Sequence, residues 1–159
     1  MAPLRPMRWW WLGALLASCA PRVRYATEAD AAASGVVLRA WHVNVRSGGE
    51  LTLVNTGPRP CFVARPYGCC VFVRFYDEQH QQVKPARKRP CRPPGQAGPA
   101  PLGPGDSLRY ALGPHLELYT AEALAQARYY EVGYEGTISP KRRARRFPLF
   151  KLNTVGAIE

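Results

Sequence analysis

Short stretches in which apolar and polar residues alternate fill the chain from residue 36 onward, and turn-forming residues separate them. Such alternation predicts β-strands with one buried face. The clearest stretch, 69–76, places Cys69, Val71, Val73 and Phe75 on one face and Cys70, Phe72, Arg74 and Tyr76 on the other. Similar patterns predict strands in 36–45, 50–54, 61–64, 81–84, 107–112, 128–134 and 147–155. The pattern therefore predicts an all-β domain.

Helices are expected to be few and short, because the chain contains 16 Pro and 14 Gly, which interrupt helical segments. Residues 121–127 have helix-forming composition, and Thr27 can cap a short helix over 27–33. Seven of the prolines and no acidic residue lie in 85–104. That composition predicts a long, exposed, Pro-rich loop.

The end of the 121–127 segment has the spacing of a tyrosine corner, in which Tyr129 would hydrogen-bond to backbone upstream. The other interpretation is that Tyr129 is an ordinary aromatic residue of a strand. Together with the strand spacing, these features predict an antiparallel immunoglobulin-like β-sandwich of about seven strands, with one short helix and the Pro-rich loop.

The order of motifs over 50–134 resembles small immunoglobulin-like domains of the intracellular-proteinase-inhibitor type. The motifs are Asn55-Thr56-Gly57 at the end of a strand, Phe75-Tyr76-Asp77 before a polar turn, and Leu102-Gly103-Pro104-Gly105-Asp106 before a strand. A helical turn and a tyrosine strand follow. The resemblance implies a sandwich fold and, as an alternative function, inhibition of exported proteases. Four cysteines and the Pro-rich segment depart from that family's pattern.

The N-terminal segment has the organisation of a signal peptide. Arg5 and Arg8 precede an apolar run over 9–17. This run is about half of the roughly 20 residues that a membrane-spanning helix needs, and its length is typical of a signal-peptide core. Residues 1–18 are therefore predicted to be removed on export. A buried helix that starts here is the structural alternative.

The apolar run ends in Leu16-Ala17-Ser18-Cys19, which resembles the lipobox of bacterial lipoproteins. The resemblance implies that Cys19 is acylated and becomes the first mature residue. Ala20, in place of aspartate, implies delivery to the cell outer membrane with the domain facing the periplasm. An ordinary signal peptide, cut after Ala17 or Ala20, would instead give a secreted protein.

The predicted organisation thus has three parts: a signal peptide in 1–18, a lipid anchor and tether in 19–34, and a β-sandwich domain in 35–159. Stable attachment to a membrane takes two signals, such as several acyl chains, or one chain with a basic patch.

The chain has five cysteines, and lipidation of Cys19 leaves Cys61, Cys69, Cys70 and Cys91. In an oxidising compartment these four predict two disulfides. Because Cys69 and Cys70 are adjacent, each is expected to pair with a different partner, Cys61 or Cys91, in an order that stays open. Their spacing matches no tetrahedral zinc pattern, and there is no C-x-x-C motif. A periplasmic metal or redox protein remains the second alternative, although no metal ligand is assigned.

Residues for catalysis are not found in any known arrangement. His42, His80 and His115 lie in separate segments, and no nucleophile or phosphate-binding motif is present. Asp77 and Glu78 are adjacent in a turn, so their carboxylates diverge. The sequence therefore predicts a protein that is not an enzyme, with no catalytic residue and no cofactor.

Positive charge is the remaining signal. The net charge of +11 falls by two, to +9, when residues 1–18 are removed. Basic residues form two clusters, which we call the first basic cluster (Lys84, Arg87, Lys88, Arg89 and Arg92) and the second basic cluster (Lys141, Arg142, Arg143, Arg145 and Arg146). Such density predicts a solvated loop or an anionic partner.

The combined prediction is a non-catalytic, lipid-anchored binding or assembly module of the cell envelope. Its partners would be the membrane and an envelope protein or anionic glycolipid. Nucleic acid fits the charge but not the export signal. The alternative for the charge itself is a composition that is rich in arginine throughout, without a function for either cluster.

Overall fold

The computed structural model describes residues 24–88, 98–142 and 148–158. In this part of the chain the protein is built from nine strands and three short helices, which confirms the predicted all-β class. The helices are α1 (Glu28–Ser34), α2 (Gly113–Leu116) and α3 (Ala121–Gln126). The strands are β1 (Val36–Trp41), β2 (Glu50–Asn55), β3 (Cys61–Val63), β4 (Val71–Tyr76), β5 (Gln82–Val83), β6 (Ala100–Leu102), β7 (Ser107–Ala111), β8 (Tyr129–Ser139) and β9 (Leu149–Ala157).

The strands form two antiparallel sheets. The first sheet has the order β1-β2-β7, and the second has the order β5-β4-β8-β3-β6, with β9 also paired to β8. This arrangement of two antiparallel sheets agrees with the predicted all-β sandwich. Eight of the nine strands correspond to alternating segments of the sequence. The ninth, β6, pairs with β3 inside the segment 85–104, where an exposed loop was predicted, and its Ala100 and Leu102 are buried.

Strands β3 and β4 lie one after the other along the same side of β8. The Thr137 carbonyl accepts from the amide of Ala64 (2.9 Å), and the amide of Glu135 donates to the Cys70 carbonyl (2.7 Å). Residues two apart in a strand present their backbone groups to the same side. The predicted segments 61–64 and 69–76 are therefore two parts of one interrupted strand.

The predicted two-face pattern of 69–76 is confirmed in the core. Val71, Val73 and Phe75 are buried, and the residues between them are half-buried. On β8 the ring of Tyr134 is fully buried, and its hydroxyl donates to the Ala64 carbonyl at 2.7 Å. This bond links β8 to the loop between β3 and β4, so the interruption is itself held against the core.

Helix α1 begins at the predicted cap. The Thr27 side chain accepts from the Asp30 amide, while the Asp30 carboxylate accepts from the Thr27 amide, which forms a capping box. Just before it, the Arg24 carbonyl accepts from the Leu149 amide (2.9 Å), and the Ala26 amide donates to Leu149 (2.8 Å). From Arg24 on, the segment assigned to the tether is therefore attached to β9. Among the described helices, none has the length and apolar character needed to cross a membrane.

The cysteines differ from the sequence-based expectation. Cys61 and Cys70 carry free thiols and Cys69 is disulfide-bonded, so no disulfide joins two of the described cysteines. When the register of the strand pairs is extended by one residue, Cys61 lies opposite residue 140 and Cys70 lies opposite Glu135. That offset is about 17 Å along the strand direction, far beyond the roughly 7 Å limit between Cα atoms of a disulfide. Cys19 and Cys91 lie outside the described residues.

Candidate ligand-binding site on the outer face of the second sheet

The solvent-facing side of β4, β8 and β9 carries side chains in cross-strand rows. Each residue that points out of β8 has a partner on both neighbouring strands, because β8 is paired along both edges. The rows are Tyr76-Tyr129-Ala157, Arg74-Glu131-Val155, and Phe72-Gly133-Asn153. Residues far apart in the sequence thus meet on one surface.

The Glu131 carboxylate is the centre of this surface. Its Oε2 accepts from Arg74 Nη1 at 3.0 Å and from the Tyr76 hydroxyl at 2.9 Å. Its Oε1 accepts from Asn153 Nδ2 at 3.1 Å. The Glu131 side chain is only 12% exposed, while that of Arg74 is 41% exposed. Three donors from two neighbouring strands therefore fix one carboxylate, which we call the Glu131 network.

The same contacts set the charge states. Burial raises the pKa of the Glu131 carboxyl, but hydrogen bonds from Asn153, Tyr76 and Arg74 outweigh it, and the pKa lies below its ordinary value. The hydrogen bond to Glu131 raises the pKa of Arg74. Burial, and then the bond to Glu131, raises the pKa of Tyr76. Each shift moves the pKa away from neutrality, so all three groups keep their ordinary charge states near neutral pH.

Beside the network lies an open groove with a volume of about 600 Å³. One wall is the ring of Tyr129, stacked on His80 with centroids 4.3 Å apart. Tyr129 is therefore a strand aromatic that packs on the turn after β4. Val155 on β9, which is paired with Glu131 and is 72% exposed, also lines the groove. The lining residues are Tyr76, His80, Tyr129, Tyr130, Glu131, Val155, Gly156 and Ala157.

The turn that carries His80 is fixed by its own hydrogen bonds. The Asp77 carboxylate accepts from the amides of Gln79 (3.0 Å) and Gln81 (2.8 Å). His80 itself has a positive φ of 58°, a conformation that non-glycine residues adopt mainly in tight turns. The imidazole is thus held over Tyr129 by the backbone of the turn.

In the cross-strand row next to the Glu131 network, the absence of a side chain at Gly133 leaves room for the ring of Phe72. A Cβ atom at Gly133 would overlap the ring of Phe72. The Arg74 guanidinium carbon lies 4.6 Å from the centre of that ring, a cation–π distance. Phe72 therefore supports Arg74 from one side while Glu131 holds it from the other.

The described basic residues lie elsewhere. Lys84, Arg87, Lys88, Lys141 and Arg142 are all exposed. The ion pairs seen among the described residues are Arg74–Glu131 and Arg109–Glu50, so these five cations have no acidic partner within the described part of the chain. The remaining cluster members, Arg89, Arg92, Arg143, Arg145 and Arg146, lie outside the described residues.

The two described parts of the clusters sit at different ends of β8. Lys84 follows β5, which pairs with Tyr76 next to Tyr129. Lys141 lies two residues after Ser139, and its amide donates to the Ser139 hydroxyl at 2.9 Å. Ten residue steps of β8 separate these ends, or roughly 33 Å. We call them the Tyr129 end and the Ser139 end.

The described cysteines and histidines bear on the alternative of a metal or redox protein. Within the described ranges, no three His, Cys, Asp or Glu side chains come together in a metal-binding group. Burial raises the pKa of both the Cys61 and the Cys70 thiols, which lowers their reactivity as nucleophiles. The three histidines lie on separate elements: His42 after β1, His80 after β4, and His115 in α2.

Sequence reasoning missed the Glu131 network. Its members are separated by up to 79 positions, and only the outward position of Arg74 and Tyr76 was visible as alternation. The alternation of β8 and β9 carried the same signal, because Glu131 and Asn153 also fall on outward positions. What the pattern does not contain is the register that places them opposite one another.

No protein-family model, curated protein or solved structure matches this chain. What the protein binds is therefore inferred from its own side chains.

Proposed function

We propose that this protein is a non-catalytic binding module of the cell envelope, held at a membrane through acylated Cys19, whose second basic cluster engages phosphate groups of the same membrane surface. The outer membrane, with the domain in the periplasm, is the compartment that the lipobox resemblance favours. The free domain in a secreted form remains the alternative.

The position of the N-terminal segment carries the proposal. Arg24 is hydrogen-bonded to Leu149, and Leu149 is paired with Thr137 of β8. The chain from Cys19 therefore joins the domain at the Ser139 end, where Lys141 and Arg142 are also exposed. The five residues after Cys19 span at most about 18 Å. Lipid and basic loop would thus reach the same membrane surface.

Charge supports the partner class. The exposed lysine and arginine of this loop have no described acidic neighbour, so their charge is available to an external anion. Phosphates of lipid or glycolipid headgroups accept charge-assisted hydrogen bonds from such groups, at about 1 kcal/mol per basic residue near an anionic surface. An acyl group and a basic patch together provide the two signals of a stable attachment.

The first test is cell fractionation of the Cys19→Ala variant, with Cys70→Ala, which removes a free thiol, as the matched control. We expect Cys19→Ala to shift the protein from the membrane fraction to the soluble fraction, while the control stays with the membrane. An unchanged distribution of Cys19→Ala would remove the lipid anchor from the proposal.

The second test measures binding of the Cys19→Ala protein to vesicles of anionic phospholipid and to vesicles that contain lipopolysaccharide. Replacing Lys141, Arg142 and Arg143 by Gln should weaken binding at low salt by about tenfold or more, and high salt should abolish the difference. The matched control replaces three exposed arginines outside both clusters, Arg39, Arg46 and Arg65, by Gln. Equal losses in both triple variants would show that only the net charge matters.

A further inference from the structure

We infer that the groove between the Glu131 network and the stacked Tyr129–His80 pair is a binding site for neutral pyranose units of a glycan. This inference rests on the proposed function in one respect, namely that the Tyr129 end points away from the membrane. The sugar class itself follows from the charge, the shape and the hydrogen-bonding groups of the groove.

The charge of the groove disfavours ionic ligands. Arg74 and Glu131 are 3.0 Å apart and cancel one another. An anion in the groove would meet the Glu131 carboxylate that lines it, and a cation would find that carboxylate already paired with Arg74 in a protein that is strongly positive. The site is therefore complementary to a ligand without net charge.

Shape and surface then favour a ring. The stacked Tyr129 and His80 rings, with an interplanar angle of 22°, line a groove of about 600 Å³ together with exposed Val155. Ligand sites of roughly 300 to 1,000 Å³ combine apolar walls with a few fixed polar groups. The C–H face of a pyranose can pack on such aromatic and aliphatic surfaces while its hydroxyls stay at the rim.

The polar groups match hydroxyls because donors and acceptors lie side by side. A carboxylate offers about four acceptor positions, and Glu131 uses three of them. The Tyr76 and Tyr129 hydroxyls and the His80 imidazole also line the groove and can donate or accept hydrogen bonds. Adjacent hydroxyls of a sugar, each both donor and acceptor, can bond to this mixed set.

The location of the groove indicates which glycan is within reach. Tyr129 lies roughly 33 Å along β8 from Ser139, where the lipid segment joins the domain. A groove at the end of β8 remote from the lipid segment suits the sugar chain of an envelope polymer better than a glycolipid headgroup beneath the domain.

The test is calorimetric titration of the Cys19→Ala full chain with two neutral tetrasaccharides, one of β-1,4-linked N-acetylglucosamine and one of β-1,4-linked glucose. We expect saturable binding of at least one of them. Tyr129→Ala should weaken that binding by roughly tenfold, since it removes the stacking surface. Tyr129→Phe keeps the ring and should stay within about twofold of the parent protein.

Two controls make the outcome decisive. Trp41→Ala removes an exposed aromatic side chain (47% exposed) from the first sheet and should leave sugar binding unchanged. Glu131→Gln should weaken binding by several-fold without loss of the folded state in circular dichroism. Absence of binding by either sugar at about 10 mM, tighter binding of a nucleoside, or an equal loss with Trp41→Ala would overturn the inference.

Vesicle binding measured on the same preparations separates this inference from the proposed function. Lost sugar binding with intact, charge-dependent vesicle binding overturns only the sugar site. Intact sugar binding without vesicle binding overturns the membrane proposal and leaves the groove assignment standing.

Discussion

The two ends of β8 use cationic side chains in opposite ways. At the Ser139 end, Lys141 and Arg142 are exposed in a loop, without a described acidic neighbour. Near the Tyr129 end, Arg74 is held at 3.0 Å from Glu131 and packs over the ring of Phe72. The first arrangement leaves positive charge that acts at long range, whereas in the second Glu131 neutralises the charge of Arg74 within a fixed local structure.

This difference indicates what each end of β8 can contribute to the binding of a partner. Exposed charges attract an anionic surface without a defined geometry, and salt weakens them. A carboxylate that three donors hold in place contributes little long-range field, but its side chains are already positioned for a ligand, which reduces the entropy lost on binding. Substitutions near the Tyr129 end should therefore affect the fold, and those at the Ser139 end should not.

The largest effect is expected for Glu131→Ala, which leaves the donors of Arg74, Tyr76 and Asn153 without their shared acceptor. We expect the free energy of unfolding in urea to fall by about 2 kcal/mol. The matched control is Glu135→Ala, four residues away on the same face of β8, where the carboxylate accepts a 3.3 Å hydrogen bond from the exposed Tyr25 hydroxyl. It should cost less than about 0.5 kcal/mol. Equal costs would mean that the network does not act as a unit.

Gly133→Ala should cost about 1 to 2 kcal/mol in unfolding free energy, because its Cβ atom would overlap Phe72 and displace the ring from beneath Arg74. The decisive measurement is the same substitution in a Phe72→Ala background. There the overlap no longer exists, so adding alanine should be close to neutral. A cost that persists without the ring would show that the glycine is needed for a backbone reason.

Stability should also depend on pH through Glu131. Its pKa in the folded protein is lower than the ordinary value of 4.5, so its ionised form stabilises the fold above that pH. This contribution is lost as the pH falls through the folded-state pKa. The parent should exceed Glu131→Gln by about 1 kcal/mol at neutral pH, and the difference should disappear once the pH is below the lowered pKa of folded Glu131. A constant difference from neutral to acidic pH would contradict this role.

The smallest effect is expected for the double variant Lys141→Gln/Arg142→Gln. Exposed side chains without ionic partners change the free energy of unfolding by less than about 0.5 kcal/mol, and the melting temperature should barely move. A loss above about 1 kcal/mol would reveal that these residues stabilise the fold, and would weaken their assignment to an external anion.

The sequence predicted much of the fold because burial imposes local patterns. Alternation in 69–76 identified Val71, Val73 and Phe75 as core residues, and Thr27 identified the start of α1. It did not predict that β3 and β4 share one side of β8, because strand pairing depends on contacts between distant segments. For the same reason it expected disulfides at Cys61 and Cys70, whose positions along β8 are too far apart for a bond between them.

The sequence by itself determined most of the strands, their buried faces and the excess of positive charge, since each depends on the residues of a short segment. It did not indicate α2 or β6. Tertiary structure decided which side chains meet. Antiparallel register brings Arg74, Glu131 and Asn153 into one network, and it also joins Arg24 to the Ser139 end of β8. The physical reason is that period-two alternation fixes the face on which a side chain lies, while its neighbours on that face are set by the pairing of strands.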